Sequence, residues 1–64
     1  MIKIGLQYRK EFAKGDIYEV IKMEKNIARI RNNSFPDEKD DRYKWVSIMG
    51  LENSIKAKNY SVIN

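Results

Sequence analysis

The sequence predicts an all-β domain built as a small five-stranded barrel, and three observations lead there. The opening residues alternate apolar and polar with a period of two. Short runs rich in β-branched and aromatic residues recur along the chain. Turn-forming residues separate these runs, and no helical pattern is long enough to stand alone.

The elements follow in order. Ile2, Ile4, Leu6 and Tyr8 fall on one side of the first strand, with Lys3, Gly5, Gln7 and Arg9 on the other. Lys10 to Asp16 reads as a loop with Phe12 set into it and Gly15-Asp16 as its turn. Ile17 to Met23 is the second strand, and Glu24-Lys25-Asn26 connects it tightly to a third, Ile27 to Arg31. Asn32 to Asp41, NNSFPDEKDD, contains the only proline and is expected to be an exposed connection. Arg42 to Ile48 is a fourth strand carrying Tyr43, Trp45 and Val46. In SIMGLENSI, Leu51 and Ile55 are four apart, which predicts a single helical or 3-10 turn. Tyr60 and Val62 alternate in a short fifth strand that closes the domain.

At 64 residues the chain is expected to be one domain, 1–64, near the size at which a single core barely suffices. With no cysteine, neither a disulfide framework nor a thiolate metal site can supplement that core. The chain opens MIKIG, without a charged-then-apolar leader or an apolar run of membrane-spanning length, so a complete cytoplasmic protein is expected. The formal charge of +4 is unevenly spread. Residues 1–31 carry eight basic and four acidic side chains, and residues 43–64 carry three lysines against Glu52. The segment 32–42 sets Asp37, Glu38, Asp40 and Asp41 against Lys39 and Arg42. A basic body with one acidic loop suits an acidic partner, and also lies within the ordinary range for solubility.

Enzymatic chemistry is not expected. There is no histidine and no cysteine, hence neither the usual general base at neutral pH nor the most nucleophilic side chain. The serines lack a nucleophile-elbow context, and the acids of DEKDD sit in a polar loop where nothing would hold or desolvate them. Their spacing does not match a calcium loop, and Gly5, Gly15 and Gly50 are too isolated to cradle a phosphate. No metal and no cofactor are therefore expected.

Several stretches resemble the Src-homology-3 fold. FAKGDIYEVI is similar to the region around the second strand of those domains, NYSVI to their final strand, and IGLQY to their opening Ala-Leu-Tyr-Asp-Tyr segment. The pattern covers most of the chain and is closer still to small SH3-like barrel proteins of phages and prophages of low-GC Gram-positive bacteria. The resemblance implies the fold but not the usual ligand. Only six residues separate Tyr8 from Gly15, where peptide binders carry a long loop. Asn26-Ile27 stands in place of their paired tryptophans, and WVSIMG lacks their groove proline. Binding of proline-rich peptides is not expected.

On the second strand, alternation alone sets Tyr18 and Val20 against Ile17, Ile21 and Met23 for the inner face. The resemblance implies that Phe12, Tyr18, Val20, Ala28 and Ile30 point inward, with Arg29 and Arg31 outside. Two surfaces then compete. Exposed Ile17, Ile21, Met23 and Ile48 would form an apolar patch for a protein partner or a second copy, so monomer and homodimer both stay open. The phage resemblance implies a host protein as that partner. Alternatively, Arg29, Arg31, Arg42 and Lys44, with Tyr43 and Trp45 exposed among them, would bind nucleic acid by joint stacking and phosphate neutralisation. The first reading, a non-enzymatic module engaging a protein, is the leading expectation. An exposed Trp45 beside the arginines would favour the second.

Overall fold

The computed structural model describes residues 2–34 and 42–64. The acidic loop expected at 32–42 lies for the most part outside the described residues. Within them, five antiparallel strands form one sheet and a single helix precedes the last strand.

β1 (Gln7–Lys10) begins later than the alternation predicts. Ile2 and Leu6 are buried, but Ile4 is 63% exposed. The chain turns at Ile4-Gly5, where Gly5 has φ +95°, a conformation glycine adopts without steric cost, and the Leu6 amide bonds the Lys3 carbonyl at 3.1 Å. Two apolar residues thus enter the core from either side of a turn rather than along one straight strand.

β2 (Ala13–Glu24) is twelve residues long and absorbs most of the loop expected at 10–16. Phe12, expected inside, is 76% exposed and leans on the Tyr60 ring at 6.5 Å. A bulge resolves the competition along β2. Val20 pairs with Ile30, but the next pair is Lys22 with Arg29, so Ile21 is an extra residue and the alternation reverses there. Tyr18 and Val20 point inward before the bulge, and Met23, opposite Ala28, does so after it.

A turn at Lys25-Asn26, with Lys25 at φ +38°, leads into β3 (Ile27–Asn32). β4 (Tyr43–Ser47) pairs with β3, and β5 (Tyr60–Val62) pairs with β1. The order is β4-β3-β2-β1-β5, and the sheet stays open with β4 and β5 as its edges rather than closing on itself.

The segment expected to make one helical turn is instead α1 (Ile48–Lys56), nine residues long, so the fourth strand ends at Ser47 and Ile48 belongs to the helix. Ser47 is the N-cap, its Oγ accepting from the Gly50 amide at 3.1 Å. Ile48, Leu51 and Ile55 make a stripe at helical spacing that packs into the core, and the Ile48 amide bonds the Asn26 carbonyl at 2.9 Å. Packing stabilises a helix too short to persist in isolation.

The core comprises Ile2, Leu6, Tyr8, Val20, Ala28, Ile30 and Leu51. A fully buried side chain of the Val, Leu or Ile kind contributes about 1.5–3 kcal/mol, so so small a core leaves little margin. Among the described residues no helix is long and apolar enough to cross a membrane.

Candidate functional site

With Val20, Ala28 and Ile30 inside, their strand neighbours define the outer face. Register aligns them into rows across the sheet. Gln7, Glu19, Arg31 and Tyr43 form one row from β1 to β4, and Lys22, Arg29 and Trp45 form the next. The two rows meet at Arg29, whose guanidinium lies 5.2 Å from the Tyr43 ring centroid and 5.4 Å from that of Trp45. Trp45 is 42% exposed, so this lone tryptophan is not the core aromatic of the domain.

The other charges of the face are paired. Glu19 Oε1 accepts from Asn33 Nδ2 at 2.9 Å, Arg31 Nη2 at 3.1 Å and Gln7 Nε2 at 3.2 Å. Hydrogen bonds from Asn33 and Gln7, with the charge of Arg31, outweigh desolvation and hold the Glu19 carboxyl below its ordinary range. Lys22 meets Glu24 at 3.2 Å in solvent. Among the described residues of this face, Arg29 is the cation whose partners are rings rather than a carboxylate.

The expected basic and aromatic face is therefore divided by β4. Tyr43 and Trp45 stand on the outer side with Arg29 and Arg31, whereas Lys44 pairs with Ile30 and turns the other way. Arg42 joins Lys44 in lining a cavity on that inner side, while its guanidinium also lies 6.0 Å from the Tyr43 ring centroid. The expected apolar patch does not assemble as an exposed cluster. Ile17, Ile21, Met23 and Ile48 are all half-buried, Met23 and Ile48 being packed on the core.

Sequence reasoning missed the inner side. Tyr8 is stacked between Tyr18 and Tyr60, with centroids 5.3 and 5.2 Å away and planes within 18° and 14°. Lys10 Nζ sits 4.8 Å from the Tyr18 centroid and 5.6 Å from that of Tyr60. Asp16 Oδ2 accepts from Asn32 Nδ2 at 3.2 Å and from the Tyr18 hydroxyl at 3.4 Å. Burial, with the neighbouring tyrosines, pushes the Tyr8 hydroxyl well above the usual phenol range, so it stays protonated. These tyrosines lie far apart in sequence, and only the pairing of β1 with both β2 and β5 brings them together.

Among the described residues no group of three or more carboxylate, imidazole or thiolate side chains is placed to hold a metal ion. Comparison with protein-family models, curated proteins and solved structures finds no match to this chain.

Proposed function

We propose that this chain is a non-enzymatic binding module of SH3-like kind that holds single-stranded nucleic acid on the outer face of β2, β3 and β4. The observation that carries the reading is Arg29 set between the rings of Tyr43 and Trp45, with Trp45 open to solvent. Such an arrangement offers a ring for a base to stack on and a cation for the adjoining phosphate. The SH3-like part is supported by a long second strand that pairs on both sides and by a helix before the last strand. A phage or prophage origin remains part of the proposal through the sequence resemblance alone.

A second reading is favoured by a different observation. Arg31 and Lys22 are already engaged by Glu19 and Glu24, which leaves little free charge for phosphates. An exposed Trp, Tyr and Arg cluster is also the composition of a protein-binding hot spot, so a protein partner, a host protein among them, is the alternative.

A titration with fluorescently labelled single- and double-stranded DNA and with RNA, following Trp45 emission, separates the two. The nucleic-acid reading expects Trp45 quenching and, with one or two phosphates neutralised, a salt slope of about −1 for a single strand. Absence of binding at about 50–100 mM salt removes it and leaves the protein partner.

A further inference from the structure

We infer that the cavity on the inner side of the sheet is a binding site for the phosphate monoester of a small molecule. The inference goes beyond the outer-face reading and does not rest on it. The cavity has a volume of about 350 Å³. That is at the low end of ligand-sized pockets, which run from about 300 to 1,000 Å³, so a small molecule fits better than a polymer.

Its apolar floor is Ile30 and Val46, and Tyr8 and Tyr18 supply aromatic walls. Three cations, Lys10, Arg42 and Lys44, line it against a single carboxylate, Asp16. None of the three pairs with Asp16, whose Oδ2 is engaged by Tyr18 and Asn32. Among the described residues the cations that line the cavity thus outnumber the carboxylates three to one. Lys10 is steadied by two rings, which occupy none of its N–H donors.

Arg42 and Tyr8 add further donors to that lining. Arg42 Nε is buried and has no acceptor among the described residues. Nε presents no surface to the cavity, so the rest of the guanidinium fork is what an anionic oxygen there would meet. Tyr8 is 2% exposed, lines the cavity and keeps its proton, so its hydroxyl is a further donor. A phosphate monoester, a dianion with several acceptor oxygens, matches three cations and these donors better than a single-charged carboxylate does.

The test is an NMR titration of the full chain, following backbone amides, with inorganic phosphate, ribose 5-phosphate and an ionic-strength-matched chloride control. Saturable shifts are expected at Lys10, Tyr18, Asn32 and Lys44, with Arg29 and Trp45 still, and ribose 5-phosphate should bind more tightly than inorganic phosphate. Arg42→Lys, which keeps the charge but removes the planar guanidinium fork, and Lys44→Gln, on an exposed edge strand, should each weaken binding about tenfold. Arg29→Gln should leave it unchanged. Should Arg42→Lys unfold the chain, Lys44→Gln decides. Shifts that chloride reproduces, saturation indifferent to Lys44→Gln, or a sugar phosphate bound no better than inorganic phosphate would each overturn the inference. The outer-face reading is judged separately, by Trp45→Ala and Arg29→Gln against labelled DNA.

Discussion

Arg29 and Trp45 face each other across β3 and β4, and the Arg29 guanidinium lies 5.4 Å from the Trp45 ring centroid. Tyr43, two pairs along and on the same face, lies 5.2 Å from the same guanidinium. Trp45 is open to solvent and Arg29 half-buried, so the pair is within reach of a ligand. Its contribution to stability is correspondingly small, about 0.5–1 kcal/mol for a cation over a ring at an exposed site.

The first prediction separates binding from folding on that basis. Trp45→Ala should weaken single-stranded nucleic-acid binding by about 1–3 kcal/mol, the usual loss for one stacked base. Arg29→Gln should weaken it too and flatten its salt dependence. Both variants should retain thermal midpoints close to that of the parent chain. If binding survives both changes intact, the outer face is not the site.

A pH dependence follows from Glu19. Its folded carboxyl titrates below the ordinary range because Asn33 and Gln7 donate to it and Arg31 lies beside it. A lowered folded pKa contributes stability above the unfolded value, about 4.3 for glutamate, and that contribution is lost as pH falls through the folded pKa. Glu19→Gln should therefore lower the thermal midpoint at pH 7, and the gap to the parent should narrow on acidification to pH 3. A gap of constant size would mean that the ionised carboxylate is not what Asn33, Gln7 and Arg31 stabilise.

How much of this was legible beforehand depends on whether a feature is local. β3, β4 and β5 were readable because each is a short run with its own alternation, and Val20, Ala28 and Ile30 fell inside as expected. Ile4 and Phe12 were misplaced because a glycine turn and an early start to β2 interrupt the pattern. The bulge at Ile21 has no sequence mark, since it exists only in the register between β2 and β3. Likewise, Trp45 opposite Arg29 exists only in the register between β3 and β4, whereas Lys44 parts from Trp45 through simple alternation along β4. The helix did leave a signal: Ser47 before apolar residues at 48, 51 and 55.

That helix supports the third prediction. Ser47→Ala removes the acceptor for the Gly50 amide and should cost about 1 kcal/mol, within the range measured for lost caps. Leu51→Ala should cost more, about 2–5 kcal/mol, because Leu51 fills the core beneath the helix. Chemical denaturation should rank them in that order. Near-equal losses would place the helix's hold on the sheet at its cap rather than at Leu51.

The other end of α1 offers a stabilising change. Lys58 has φ +64°, the Lys58 amide bonds the Ile55 carbonyl at 3.0 Å, and the Asn59 amide bonds the Ser54 carbonyl at 2.9 Å. This is the left-handed helix ending in which glycine is preferred, because a Cβ in that conformation costs about 1–2 kcal/mol. Glycine in turn loses about 0.5–1 kcal/mol more backbone entropy on folding, so the two effects partly cancel. Lys58→Gly should then stabilise the domain by up to about 1 kcal/mol and raise the thermal midpoint by a few degrees. Lys58 lines neither the outer face nor the inner cavity, so both binding titrations should be unaffected. Lys58→Ala serves as the control, since it removes the same side chain while keeping the Cβ. If alanine stabilises as much as glycine, the gain comes from losing the lysine's charge, and the strain at the helix end is not its source.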